Sequence, residues 1–334
     1  MLNFEVFRHP IHDIGQPQWR YHFDVAAELQ ERTEQLNSFP VLHDAAVYES
    51  DPHLRRTVIA VTQSLDLRRL QSGLAGSPLR FEPRLYAQVG STQDLVAQAA
   101  RGGGQEGLLV FADEQLSGRG RSGRTWIAPA GSSLMFSILL RPESGMESWP
   151  TLSLVAGLAV VEGLTSAEGP RAQLKWPNDC LCRERKLAGV LAESFTPGTG
   201  QGAVVVGVGC NVSWQDREIP EDLRQSATAC DLEGFHLDRN ALAVAILSRL
   251  AIRYREWAEG GFPAIRTEWL RHAAWIGREV VGADRSGPVT GTVAGITGRG
   301  ELIVDTADGP IEIAAGDVEG LPTPQLRLAK DAVG

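Results

Sequence analysis

Apolar positions change their period several times along this chain, and each change predicts an element. Near the start, Val25, Leu29 and Leu36 recur at helical spacing over 24–39, and 56–63 (RTVIAVTQ) reads as a strand. From about residue 65 the pattern becomes a mixture of helices and strands. Residues 84–90 (RLYAQVG) predict a strand. Residues 91–100 (STQDLVAQAA) open on capping side chains and continue as a helix. Two apolar strands, 107–113 and 132–140, flank a glycine-rich stretch. Residues 151–164 (TLSLVAGLAVVEGL) are apolar almost all round, which predicts a buried helix. Strand-like runs follow at 172–177, 186–194 and 202–212, then helices near 239–258 and 262–274. The tail, 277–320, consists of short β-prone runs split by glycine turns, the signature of a small barrel of about fifty residues. The expected organisation is an extension over 1–64, an α/β (α+β) domain over 65–275 built on a mixed sheet with packed helices, and a small SH3-like β-barrel over 276–325.

Composition narrows the function classes. At 334 residues with 43% hydrophobic and 22% charged positions, the chain is an ordinary globular one. Its formal net charge of −9 argues against a surface that grips nucleic acid broadly. No run reads as a membrane span or a signal peptide. The four cysteines, Cys180, Cys182, Cys210 and Cys230, read as reduced packing residues of a cytoplasmic protein. Cys180-x-Cys182 is too closely spaced for the usual zinc motif. His9 and His12 have no third ligand nearby, so no metal site is expected.

One stretch departs from this background. Residues 117–126 (SGRGRSGRTW) carry Gly118, Gly120 and Gly123 with Arg119, Arg121 and Arg124 between and beside them. The glycines match a dinucleotide-binding fingerprint. That fingerprint needs a helix to start at its last glycine, and Pro129, Gly131 and a strand follow instead. A flexible and positive loop on an acidic protein suits a small anionic ligand. Lysine usage adds a second signal. Of 32 basic residues only Lys175, Lys186 and Lys330 are lysine, and two of these fall within a dozen residues. A compact ammonium at those places does what a planar guanidinium cannot.

The segments 90–94 (GSTQD), 117–126 and 175–193 (KWPNDCLCRERKLAGVLAE) together resemble the biotin protein ligases, over about residues 65 to 321. The resemblance implies ATP-dependent activation of biotin as biotinyl-5′-AMP, with Mg2+ arriving on the nucleotide. Transfer to a lysine of a biotin carboxyl carrier protein would follow. Lys186, Arg121 and Asp179 are the implied catalytic residues. The implied biotin site comprises Ser91, Thr92, Gln115, Gly118, Arg119, Gly120, Arg121, Lys186, Gly189 and Leu191. The implied ATP site comprises Arg121, Arg124, Trp126, Lys175, Asn178, Lys186 and Asn211. Plainer readings stand beside these. Ser91 and Thr92 also suit helix caps, and Pro177-Asn178-Asp179 also suits a β-turn. Asp179 would orient a basic group or accept the incoming lysine's proton. The loop is expected to be mobile when empty, since its like charges repel, and to close over an anionic ligand. Alternatives are a lipoate or octanoate ligase of the same fold and a biotin-sensing repressor. The acidic N-terminal extension argues against nucleic-acid binding. Monomer and homodimer both stay open.

Overall fold

A computed structural model describes residues 64–195, 202–215, 217, 219–284 and 287–321. The predicted helix over 24–39, the strand over 56–63 and the His9/His12 pair lie outside the described residues. All described residues fall within one compact unit, Ala60–Gly334.

The described residues open with α1 (Leu67–Gly73), a short helix that the apolar pattern did not signal. Asp66 caps it by accepting from the Arg68 and Arg69 amides. Then come β1 (Glu82–Val89), α2 (Thr92–Arg101), β2 (Leu108–Gln115) and β3 (Ser133–Leu140). After α3 (Leu152–Ser166) the chain forms β4 (Gln173–Lys175), β5 (Asp179–Cys182), β6 (Arg185–Phe195) and β7 (Ala203–Asn211). These seven strands make one sheet in the order β1-β2-β3-β7-β6-β5-β4. Only β1 and β2 pair in parallel, with α2 as their crossover. β3 is buried along its whole length because both faces of the sheet are covered. On one face Leu109, Phe111, Phe136 and Ile138 join the core of α3 and the long helix α5 (Arg239–His272). On the other, Leu108, Val110 and Leu139 pack under Val96, Ala97 and Ala100 of α2.

The helix α3 behaves as its composition predicts, since twelve of its fifteen residues are buried. Together with the 3-10 turn before it, Met146–Ser166 has the length and apolar composition of a membrane span, but 72% of its apolar window is buried inside the protein, as in a core helix. Its place is the interior of the folded unit. Between β7 and α5 lies one short helix, α4 (Glu221–Ser226). Two helices were expected from 239 to 274. The run is continuous except at Gly261, whose φ of 66° breaks it, and Pro263 then sits in the first turn of the second half.

The tail folds as a separate five-stranded antiparallel sheet, β8 (Glu279–Asp284), β9 (Gly287–Ile296), β10 (Leu302–Thr306), β11 (Gly309–Ile313) and β12 (Asp317–Gly320), ordered β11-β10-β9-β8-β12. Val280, Val293, Ile296, Val304 and Ile313 fill its interior. The mixed sheet with helices and a second antiparallel sheet is the fold class that the sequence predicts.

Candidate active site

Two adjoining cavities open on the loop side of the large sheet. The smaller, about 470 Å³, reaches from Ser91, Thr92 and Gln115 to the strands β6 and β7. The larger, about 1170 Å³, runs from the loop toward Lys175, Trp214 and Trp275. Gly120, Arg121, Trp126, Asn178 and Lys186 line both, so they form the seam between the two spaces.

The hairpin β5–β6 supplies the seam's lysine. Arg183 and Glu184 make its turn, both at positive φ, and Asp179 and Lys186 face one another across it. The Lys186 ammonium lies 2.7 Å from an Asp179 carboxylate oxygen and 5.8 Å from the centre of the Trp126 ring. Room for that ammonium comes from Gly189. A Cβ there would stand 2.9 Å from Lys186 Cε and 3.0 Å from Nζ. The Asn178–Asp179 step was read as a turn. Asn178 does bend the chain, holding the Val190 carbonyl with its amide nitrogen at 2.9 Å, but Asp179 already begins β5. Cys180 and Cys182, which the apolar pattern left unassigned, alternate with the site residues on this strand. All four cysteines are free and buried. Burial pushes the Cys180 thiol well up and the Cys182 thiol to about 11.

The glycine-arginine loop is a small hairpin of its own. The Trp126 amide donates to the Gly118 carbonyl at 3.0 Å and the Gly120 amide to Arg124 at 2.8 Å. Arg121–Gly123 make a 3-10 turn at its tip, with Ser122 at φ 55° and Gly123 at φ 74°. No dinucleotide-type helix begins there. The expectation of uncompensated like charges is corrected, because each arginine meets a carboxylate of the same chain. Arg119 pairs with Asp94 of α2 and Glu193 of β6. Its bond to Asp94, with the nearby Glu193 charge, holds the guanidinium above its ordinary range against the opposing effect of burial. Arg121 donates to the Asn178 side-chain oxygen at 3.0 Å and to Asp317 at 3.2 Å, while Arg124 pairs with the other Asp317 oxygen. Asp317 comes from β12, so the small sheet contributes directly to the site. The indole of Trp126 lies against Gly209 of β7, where a Cβ would meet ring atoms at 2.5 Å. Its Nε1 is buried with no hydrogen-bond partner.

At the far end of the smaller cavity Ser91 caps α2 in conformation only. Its side chain makes no capping bond, and its buried hydroxyl has no partner. The capping account of Ser91 therefore fails, and that hydroxyl is available to a ligand. Thr92 does bond, through its amide, to the Gln115 side-chain oxygen at 2.8 Å. Arg119, Gly120 and Arg121 reach this cavity from the loop, Gly189 and Leu191 form its β6 wall, and Gly118 lines a separate cleft along the loop rather than this cavity.

Of the residues expected around the nucleotide, Lys175 lies 5.1 Å over the Trp275 ring on the wall of the larger cavity. Arg124 is near, on the loop. Asn211 lines the same space, but its amide already serves the chain. It donates to the Thr228 carbonyl at 2.9 Å and accepts from Ser133 at 3.3 Å. Sequence reasoning missed Asp317, Glu184, Trp275, Ser137 and the β7 glycines 207 and 209. It gave little weight to Gln93. The glycine alternation in 202–212 was a usable signal, since glycines spaced by two on a buried strand clear one face of it.

Comparison with known proteins agrees with this geometry. Residues 86–211 match the Biotin/lipoate A/B protein ligase family and residues 275–319 the Biotin protein ligase C terminal domain. The chain is 36% identical over 262 residues to the Biotin--[acetyl-CoA-carboxylase] ligase of Mycobacterium tuberculosis, spanning 76% of this chain and 95% of that one. It is 34% identical to the Bifunctional ligase/repressor BirA of Bacillus subtilis, over 69% of this chain and 71% of that protein. The Aquifex aeolicus biotin protein ligase solved with biotin and ATP superposes with a TM-score of 0.63 at 30% identity, covering 72% of this chain and 99% of that one. The chain is a ligase and belongs to the biotin protein ligase family.

Proposed function

We propose that the protein activates biotin with ATP as biotinyl-5′-AMP and then transfers the biotinyl group to a lysine of a biotin carboxyl carrier protein. The observation that carries this reading is the seam, where one compact cation joins a polar-ended cavity to a larger one lined by Arg121, Arg124 and Lys175. Biotin would lie in the smaller cavity. Its ureido ring would meet Ser91, Thr92 and Gln115, and its carboxylate would meet Lys186 and Arg121. Such an end suits a ureido head better than the methyl end of octanoate. ATP would enter the larger cavity with its Mg2+, passing Arg124, Trp126, Lys175 and Asn211.

In the first step a biotin carboxylate oxygen attacks the α-phosphorus and pyrophosphate leaves. Both reactants are anionic, and the Lys186 ammonium is placed to offset the charge that gathers between them. Asp179 holds that ammonium in position. In the second step the carrier amine attacks the acyl carbon, AMP leaves, and Asp179 takes the amine proton as the nearest carboxylate at the seam. Its pairing with Lys186 makes positioning the constant role and proton transfer the transient one. We place this activity in residues 65–321 and in the cytoplasm, in keeping with four reduced, buried thiols. Incubation with ATP, Mg2+, biotin and a carrier domain should add one biotinyl group to the carrier, read by mass. A carrier that gains octanoyl instead, or nothing, overturns the proposal.

A further inference from the structure

Gln93 immediately follows the residues assigned to the ureido end, and the mechanism above gives it no task. It is nevertheless 3% exposed and lines the smaller cavity. Its amide orientation is fixed by the backbone. Nε2 lies 3.1 Å from the Val205 carbonyl and 3.5 Å from that of Leu191, so it must be the donor end. Oε1 is then the acceptor, and it receives the Ser137 hydroxyl at 3.1 Å. Gly207 makes space for this oxygen, since a Cβ there would stand 2.5 Å from it.

A hydroxyl has one proton. With its proton committed to Gln93, Ser137 can only accept from Thr92, whose hydroxyl oxygen lies 2.8 Å away. The other acceptor within reach of Thr92 is Gln115 Oε1, at 3.1 Å, which also takes the Thr92 amide at 2.8 Å, but two hydroxyl oxygens 2.8 Å apart need a proton between them, and with the Ser137 proton on Gln93 only Thr92 can supply it. The arrangement in which every buried group finds a partner runs Thr92 to Ser137 to Gln93. Reversing it leaves the Gln93 oxygen without a donor inside the protein, which is unfavourable.

We infer that Gln93, acting through Ser137, fixes the polarity of the Thr92 hydroxyl, so that Thr92 meets the ligand as a hydrogen-bond acceptor and selects a ring N–H there. Gln93 is thus a positioning and specificity-determining residue that need not touch the ligand. The inference rests on the reading of the smaller cavity as a biotin site. It explains why the β7 strand carries glycine at 207 and why an amide, with its donor and acceptor ends, occupies position 93.

The test uses the full chain and compares biotin with its two cyclic carbamate analogues, in each of which one ureido N–H is replaced by a ring oxygen. Wild-type protein should bind biotin at least 100-fold more tightly than the analogue altered on the Thr92 side, measured by calorimetry. Gln93→Leu keeps the volume but removes the acceptor. The Ser137 proton is then free to turn toward Thr92, and the Thr92 proton becomes available to the ligand. The preference should fall at least tenfold. Gln93→Glu retains an acceptor oxygen toward Ser137 and should keep the wild-type preference, even if its overall affinity drops. Ser137→Ala, a second route to releasing the Thr92 proton, should lower the preference as Gln93→Leu does and stands in for it if that variant does not fold. An unchanged preference in a folded Gln93→Leu or Ser137→Ala protein overturns the inference. A lost preference in Gln93→Glu at wild-type melting temperature does so as well. Wild-type protein that binds neither biotin nor an analogue refutes the biotin-site reading itself, a separate and distinguishable failure.

Discussion

Two hairpins bring positive charge to the same seam, and they are held in opposite ways. In the β5–β6 hairpin, Lys186 finds its carboxylate seven positions away, on the paired strand of the same hairpin. In the glycine-arginine hairpin, each arginine finds its carboxylate on another element. Asp94 lies on α2, Glu193 on β6, and Asp317 on β12, 196 positions from Arg121. The first hairpin is rigid by local pairing and serves as a fixed point for chemistry. The tip of the second, beyond its own backbone rungs, is tied to other elements by the Arg121 bond to Asn178 and by distant, solvent-accessible ion pairs, which are individually weak. Charges held so weakly can be handed to an anionic ligand at little cost.

The fixed hairpin should be the less tolerant of the two. Lys186→Ala removes a preorganised charge and should reduce biotin-dependent pyrophosphate exchange by about 10³-fold, while biotin affinity changes by less than about tenfold. Near-normal exchange would remove the seam lysine from the mechanism. Lys186→Arg keeps the charge, yet the space beside Gly189 fits a single ammonium. A wider planar group should still cost about 10²-fold. A fully active arginine variant would show that the hairpin is less rigid than its contacts imply.

How much of this contrast could be read from the sequence follows from the same distances. Lys186 and Asp179 were legible because each is the other's partner within one short segment, and the scarcity of lysine marked Lys186. The loop arginines were visible, but their partners were not, because nothing in a linear pattern joins Arg121 to a residue of the terminal sheet. Treating the loop as uncompensated followed directly from that blindness. Helix and strand order from β1 to α5 was legible because both faces of the large sheet are covered and its strands read as unbroken apolar runs. β5 was not, since four residues of alternating cysteine give too short a signal. Ser91 was ambiguous because its φ and ψ do suit a helix cap, and only the missing capping bond separates the two accounts.

The indole of Trp126 meets Lys186 and Gly189 of the β5–β6 hairpin and is seated on Gly209 of the neighbouring β7. Gly209→Ala places a methyl group where ring atoms now stand at 2.5 Å. Neither a strand backbone paired on both sides nor a bulky ring can yield easily there. Trp126 lines both cavities, so its displacement should raise the KM for biotin and for ATP by about tenfold each, with a smaller change in kcat. A rise for one substrate alone would mean that the ring serves a single cavity. The seam would then be less of a shared wall than the geometry implies.

The smallest effect is expected where the comparison is most exposed, at Asp317. This carboxylate bridges Arg121 and Arg124, but its side chain is 45% accessible and that of Arg124 is 63% accessible. Pairs in such surroundings contribute about 0–1 kcal/mol, so Asp317→Asn should leave the melting temperature within a few degrees of wild type. Its local effect should be larger than its global one. The loop would lose the one carboxylate that ties its tip to the terminal sheet, while Arg119 would keep Asp94 and Glu193. Limited trypsin digestion should therefore cut after Arg121 or Arg124 several-fold faster in the variant, and raised salt should speed cleavage of the wild type toward the same rate by screening the pair. Cleavage after Arg119 should change least. If both proteins are cut equally fast at low salt, the terminal sheet does not restrain the loop, and the glycine-arginine hairpin is held by its own backbone rungs as firmly as β5–β6 is by its strands.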